Sequence, residues 1–220
     1  MSRFLRRSAL LILGLASVPT HAGTDNIVPY LALYESLRPA LEVSKHPRLI
    51  AHTRVLSKLP HVAPDEIRLE VRSRHGVRQV TASKLGDLDF PLDDALRDEN
   101  PPVRVNQPRG TLTLSVDVQL RLPSGPRFPY RELAAGLDEM RALLRSDGAA
   151  DAWEVDGVEL WFAPEAEAQL HVDGAVERVL LADHRGRIVL SDLQELQADG
   201  VMLKLSTMPL AIVPTLRRRP

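Results

Sequence analysis

Strict alternation of apolar and polar residues predicts a long β-strand between Thr111 and Leu122. Every second position of this segment is apolar: Leu112, Leu114, Val116, Val118, Leu120 and Leu122. Such alternation places one face of a strand against a core and the other face in water. A shorter alternation over residues 67–71, followed by His75-Gly76, predicts a second strand that ends in a turn.

Apolar residues at helical spacing predict two amphipathic helices. The first covers residues 29–41, with Pro29 at its start, where proline is tolerated, and with an interruption near Pro39. The second covers residues 129–145 and is followed by Gly148, a typical residue just past a helix end.

Beyond residue 148 the chain consists of short apolar runs separated by turn dipeptides that contain glycine. The separators are Asp156-Gly157, Asp173-Gly174, Arg185-Gly186 and Asp199-Gly200. The predicted strands are residues 158–162, 168–172, 179–181, 188–190, 201–205 and 210–213. This spacing is typical of antiparallel strands in a small β-sandwich or sheet.

These patterns together predict an α+β protein of mostly antiparallel β-sheet with two amphipathic helices. Its C-terminal part is expected to be a small β-sandwich or sheet. A boundary near residues 146–151 would separate an α+β domain, residues 23–148, from a β-rich domain, residues 149–220. A single continuous fold is the alternative.

The first 22 residues have the three zones of a secretory signal peptide. Three arginines come first, the apolar run Ala9 to Val18 follows, and Pro19-Thr20-His21-Ala22 precedes Gly23. The apolar run is shorter than the roughly 20 residues that span a bilayer. We therefore expect cleavage after Ala22 and a periplasmic or secreted mature chain without a transmembrane segment.

Composition narrows the class of protein further. The chain has 220 residues, of which 44% are hydrophobic and 26% charged, which is ordinary for a soluble globular protein. Cysteine is absent, which excludes disulfides, thiolate zinc sites and cysteine nucleophiles. Signal removal changes the balance from 28 bases against 29 acids to 25 against 29. A net acidic chain with 4% aromatic residues argues against binding of nucleic acid.

Charge is segregated along the chain. Residues 45–80 contain eight bases and three acids, whereas residues 86–100 contain six acids and one base. Such blocks are usually solvated faces, and a binding surface is the alternative.

Sequence patterns with a known catalytic mechanism are missing. The chain lacks a phosphate-binding G-x-x-x-x-G-K, a G-x-G-x-x-G, an H-E-x-x-H and a G-x-S-x-G. His46, His52 and His61 do not have metal-ligand spacing, and Phe90-Pro91-Leu92 interrupts an acidic run that would otherwise suggest calcium. We therefore predict no cofactor and no metal site, and expect Asp93 or Asp94 to cap a short helical turn.

Residues 99–110 form the most unusual segment. Pro101, Pro102 and Pro108 favour an extended, polyproline-like path. Asn100 and Asn106 can satisfy backbone groups, while Arg104 and Arg109 could face an anionic ligand. Asn100, Arg104, Asn106 and Arg109 are therefore the candidate ligand-binding residues. A structural crossover into the long strand is the alternative interpretation of this segment.

Two stretches of the chain are similar to a known family. The first is residues 99–110, and the second is residues 186–190 followed by residues 201–214. They resemble exported proteins of Gram-negative bacteria whose shared domain has no assigned function. The resemblance implies a periplasmic address and transfers no catalytic residue.

The leading hypothesis is a non-enzymatic periplasmic protein that binds an envelope protein partner or assists an envelope process. An exposed sheet edge could accept the partner's strand. A periplasmic hydrolase that gathers some of His52, Asp87, Asp89 and His171 in a cleft is one alternative. A cation- or small-ligand-binding module is the other.

Overall fold

The computed structural model describes residues 10–11, 26–174, 177–191, 196 and 200–219. Four α-helices lie in these ranges: α1 (Tyr30–Leu37), α2 (Pro39–Ser44), α3 (Asp94–Glu99) and α4 (Tyr130–Ser146). The strands are β1 (Leu10–Leu11), β2 (Ile27–Pro29), β3 (Leu49–Ser57), β4 (Arg68–Ser73), β5 (Gly76–Thr81), β6 (Pro102–Val105), β7 (Leu112–Leu120), β8 (Arg127–Pro129), β9 (Trp153–Trp161), β10 (Gln169–Asp173), β11 (Arg178–Leu181), β12 (Arg187–Ser191), β13 (Met202–Leu205) and β14 (Ala211–Arg218). The predicted α+β class with mostly antiparallel sheet is confirmed.

Prolines set the boundaries of the two predicted amphipathic helices. Helix α1 ends at Leu37 and α2 begins at Pro39, which confirms the predicted interruption. Proline lacks a backbone N–H, so it is tolerated at the first position of a helix and breaks a helix interior. Pro129 directly precedes α4, whose buried stripe begins at Tyr130.

The chain divides into two compact units. Residues 10–45 and 51–117 form the N-terminal unit, and residues 46–50 and 118–220 belong to the C-terminal unit. The division falls inside β7, and α4 belongs with the strands that follow it. Separate folding of residues 23–148 and 149–220 stays a prediction, and the contacts favour a division about thirty residues earlier.

The N-terminal unit is built on a four-stranded sheet in the order β2-β6-β4-β5. Leu69 and Val71 of β4 are buried on one face, while the residues that alternate with them point outward. Helix α1 adds Tyr30, Leu33 and Leu37 to the same core, at the spacing of one helix face. The sheet therefore has a buried face and an outer face.

Helix α3 has six residues and is fixed at both ends. Asp93 caps its start by accepting two backbone N–H groups, and the hydroxyl of Tyr30 accepts the N–H of Asp93 at 3.0 Å. At the other end, Asn100 has a left-handed φ of 49°, and its side-chain oxygen accepts the N–H of Leu31 at 2.9 Å. Two successive residues of α1 therefore hold the two ends of α3.

Strand β1 falls within the predicted signal peptide. Leu10 and Leu11 pair antiparallel with Asp117 and Val116 of β7. The other residues of the predicted signal peptide, 1–9 and 12–22, lie outside the described ranges. Among the described helices, none is long and apolar enough to cross a membrane.

Two groups of strands and one long helix form the C-terminal unit. The order β11-β10-β13-β8 makes a four-stranded sheet, and β14 and β12 flank β9. Leu137 and Met140 of α4 are buried in this unit. Gly136 lies directly against Leu120, since an added Cβ would come within 2.9 Å of the Leu120 Cδ2 atom. The absence of a side chain at this position leaves room for Leu120 of β7.

Candidate binding edge of the N-terminal unit

Strand β5 is the outermost strand of the N-terminal sheet. It forms a hairpin with β4 in continuous register, from Ser73↔Gly76 at the turn to Arg68↔Thr81 at the far end. Gly76 has a φ of 128°, a conformation that disfavours a side chain, so this glycine permits the tight turn. On its other side β5 pairs with no strand of the described residues.

The direction of each backbone group in β5 follows from one hydrogen bond. The N–H of Ala82 donates to the C=O of Ile67 at 3.2 Å, and these residues continue the β4–β5 register. Backbone groups alternate along an antiparallel pair, so Arg78 and Val80 direct their N–H and C=O groups toward β4. The intervening residues direct theirs away from the sheet: Val77, Gln79 and Thr81.

We call the row formed by Val77, Gln79 and Thr81 the β5 edge. Within the described residues its backbone groups have no hydrogen-bond partner. Val77 is 62% exposed, whereas the neighbouring Val80 is 5% exposed and anchors the strand to the core. Natural sheets usually protect such an edge with proline, lysine or a bulge. Strand β5 has none of these, and Arg78 is its only charged residue.

One row of side chains crosses the outer face of the sheet. Ile27, Arg104, Glu70 and Gln79 lie side by side on β2, β6, β4 and β5. The Glu70 carboxylate accepts hydrogen bonds from the guanidinium of Arg72 and from the amide of Gln79, the latter at 2.6 Å. These bonds hold the pKa of Glu70 below its ordinary value, with Arg72 the largest cause, and the nearby Arg104 charge acts in the same direction.

The outer face of this sheet is basic. Among the described residues of β2, β4, β5 and β6, the side chains on this face include Arg68, Arg72 and Arg104 and one acid, Glu70. All three arginines are solvent-exposed. Arg78 adds a further cation on β5 itself. The β5 edge therefore borders a surface of net positive charge on a chain whose overall charge is negative.

The four candidate ligand-binding residues of the 99–110 segment have different positions. Arg104 lies on the outer face of β6, and Arg109 is exposed in the turn that precedes β7. Asn100 caps α3, as described above. Within the described ranges no hydrogen bond or ion pair joins any two of the four, so a common site for all of them stays a prediction.

The side chain of Asn106 is hydrogen-bonded to backbone groups of other residues. Its side-chain oxygen accepts the N–H of Arg68 at 2.8 Å, and its Nδ2 donates to the C=O of Glu66 at 2.7 Å. The segment between the two asparagines forms strand β6, which pairs with β2 and β4. This placement favours the interpretation of the segment as a structural crossover.

Two of the four residues named for a hydrolase approach each other. His52 Nδ1 lies 3.9 Å from Asp87 Oδ1, and Arg54 contacts both Asp87 and Asp117 at 3.3 Å. The two carboxylates therefore share one guanidinium. Asp89 is exposed, and His171 belongs to β10 of the C-terminal unit. No group of three or more histidine, aspartate or glutamate residues that could hold a metal ion occurs in the described ranges.

A buried carboxylate in the C-terminal unit was not expected from the sequence. Glu159 of β9 is 6% exposed, accepts the indole N–H of Trp161 at 3.0 Å and lies 3.7 Å from the guanidinium of Arg187 on β12. A charged residue between Val158 and Leu160 in an apolar strand was the signal for it. Because both partners come from the β9–β12 pair, the cluster fixes these two strands to each other.

Comparison of the chain with family models, with curated proteins and with solved structures finds no match. The β5 edge has therefore to be interpreted from its own chemistry.

Proposed function

We propose that the protein is exported, loses residues 1–22 and acts in the periplasm as a non-enzymatic binding protein. Its β5 edge receives an extended segment of an envelope protein partner, which becomes a fifth strand of the N-terminal sheet. The observation that carries this proposal is the row of backbone groups at Val77, Gln79 and Thr81, which have no partner among the residues that the structure describes. Strand addition uses these groups for affinity and the flanking side chains for specificity.

The energetics set a condition on the partner. A strand along the β5 edge would form about six backbone hydrogen bonds. At a net 0.5–1.5 kcal/mol each, they contribute about 3–9 kcal/mol. Association costs about 4–15 kcal/mol in lost freedom of motion. Backbone pairing alone therefore leaves little net affinity, and side-chain contacts must select the partner.

The absence of catalytic sequence motifs and the distribution of the hydrolase candidates support a non-enzymatic role. Arg54 already pairs both Asp87 and Asp117, while Asp89 is exposed on its own loop.

The proposal is tested by photo-crosslinking in intact cells. A crosslinking amino acid at Val77 is expected to give a discrete adduct, and one at Val189, which is 39% exposed on β12, is expected to give none. Gln79→Pro removes an N–H that points away from the sheet, so it should abolish the Val77 adduct while the fold persists. An adduct that survives Gln79→Pro would overturn strand addition.

Export is tested separately on the same cells. N-terminal sequencing of the protein recovered from the periplasm is expected to begin at Gly23. A chain that keeps Met1 or Ser2 and fractionates with the cytoplasm would overturn the export part of the proposal.

A further inference from the structure

We infer that the segment received by the β5 edge is acidic, with two carboxylates four residues apart on the outer face of the sheet. This inference rests on the proposed strand addition and specifies the chemistry of its partner. It starts from the side chains that an added strand would meet on each face of the sheet.

The register of β4 and β5 decides which residues face the partner. Partner residues directly opposite Val77, Gln79 and Thr81 place their side chains on the outer face, because directly opposed residues of an antiparallel pair share a face. The next strand inward carries Arg72 in the row of Val77 and Arg68 in the row of Thr81. Exposed Arg72 is thus separated by β5 from the partner residue opposite Val77. Exposed Arg68 is separated in the same way from the partner residue opposite Thr81.

The middle row contributes no attraction for a third carboxylate. Glu70 lies in the row of Gln79, accepts hydrogen bonds from Arg72 and from the Gln79 amide, and would repel a carboxylate placed in this row. The partner position opposite Gln79 therefore favours a neutral side chain. The two flanking positions favour acids that reach over β5, one toward Arg68 and the other toward Arg72, whose guanidinium is shared with Glu70.

The inner side of the edge leads to the same conclusion. Arg78 lies on this side, because it alternates with Val77 and Gln79 along β5. The residue is solvent-exposed. The edge thus presents cations to a partner on both sides.

Three synthetic heptapeptides test the inference against the mature chain, residues 23–220. Their second and sixth residues are glutamate, glutamine or lysine, their other residues are valine or threonine, and their ends are blocked. Amide exchange followed by NMR reports binding residue by residue. The glutamate peptide should protect the N–H groups of Val77, Gln79 and Thr81, while Arg78 and Val80 are protected with or without peptide.

The glutamate peptide is expected to bind about three- to tenfold more tightly than the glutamine peptide at low salt, since exposed ion pairs are individually weak. The preference should shrink at high salt. The double variant Arg68→Gln, Arg72→Gln should lose it, whereas Arg38→Gln, Arg217→Gln removes the same net charge elsewhere and should keep it.

The outcomes separate this inference from the function on which it rests. Equal protection by all three peptides would overturn the acidic partner and leave strand addition intact. No protection of the β5 edge by any peptide would overturn strand addition. Binding of phosphatidylglycerol vesicles that depends on Arg68 and Arg72, without peptide protection, would assign the basic face to anionic lipid and overturn the inference.

Discussion

Glu70 and Gln79 face each other across β4 and β5, and the Gln79 Nε2 atom donates to the Glu70 carboxylate at 2.6 Å. This contact links the last strand of the sheet to a charge that Arg72 also stabilises. It fixes the side chains of the middle row before any partner arrives. In the proposed strand addition, side chains that are already ordered lower the entropy cost of binding.

The pKa of Glu70 should rise toward its ordinary value of 4.5 when Arg72 is replaced by glutamine, and rise less in Gln79→Ala. Arg72 is the larger of the two causes that lower the pKa. A depressed folded-state pKa contributes stability above pH 4.5 that is lost as the pH falls through the folded value. Carboxyl chemical shifts during an NMR titration measure both effects. An unchanged titration in Arg72→Gln would contradict this account.

Two proline variants on neighbouring residues should differ sharply in stability. Arg78→Pro removes an N–H that donates to β4 and leaves a carbonyl unpaired, which costs about 1–3 kcal/mol. Gln79→Pro removes an N–H that points to solvent and should cost less than about 1 kcal/mol. Urea denaturation of the mature chain measures the difference. Equal loss in both variants would mean that the alternation of backbone groups along β5 is wrong.

Gly157 should tolerate no side chain. A Cβ at this position would lie 2.4 Å from the backbone oxygen of Leu190, which cannot move without disturbing the β9–β12 pair. Gly157→Ala is expected to lower the free energy of unfolding by about 1–3 kcal/mol. Gly125→Ala is the control, because nothing lies within 4 Å of its added Cβ. Thermal unfolding that ranks the two variants in the opposite order would refute the close approach at Gly157.

Arg187→Met should destabilise the C-terminal unit by about 1–3 kcal/mol, because it leaves the buried Glu159 carboxylate without its cation. Glu159→Gln should cost less, since glutamine still accepts the Trp161 N–H. Adding Glu159→Gln to Arg187→Met should recover part of the loss. Denaturation curves of the two single variants and the double variant give the coupling energy, and a coupling near zero would argue against the cluster.

Removal of residues 1–22 should leave the unfolding midpoint nearly unchanged. Of the described residues in that segment, only Leu10 and Leu11 form a strand pair, and the buried core of the N-terminal unit begins at Tyr30. A further deletion through Pro29 removes β2 and should lower stability measurably. Calorimetry on the two truncated chains makes the comparison. Failure of residues 23–220 to fold would show that the segment has a structural role.

Much of the fold could be predicted from periodicity. Strand β7 and helix α4 have strong patterns because apolar residues recur along one face of each, and that face is buried or half-buried. Strand β5 could not be predicted in the same way, since only Val80 of its six residues is buried. Strand β6 was hidden by the prolines of its segment, although Pro102 occupies only its first position.

The candidate site was harder to predict from the sequence than the fold. The excess of bases over residues 45–80 was visible, but only the strand register places Arg68 and Arg72 on one face with Arg104. Asn106 was selected for the same segment as Arg104, and it instead bonds the backbone of residues 66 and 68. Contacts that span 38 and 40 positions leave no local pattern in a single sequence.

Because both ends of α3 are hydrogen-bonded to two successive residues of α1, the order of this short helix depends on the position of α1. Six residues are too few to stay helical in isolation. When α1 leaves the sheet, Tyr30 and Leu31 release both ends of α3 at once, and residues 93–100 lose their order together. A single fluorescent probe on α3 would therefore report the docking of a helix more than sixty positions away in the chain.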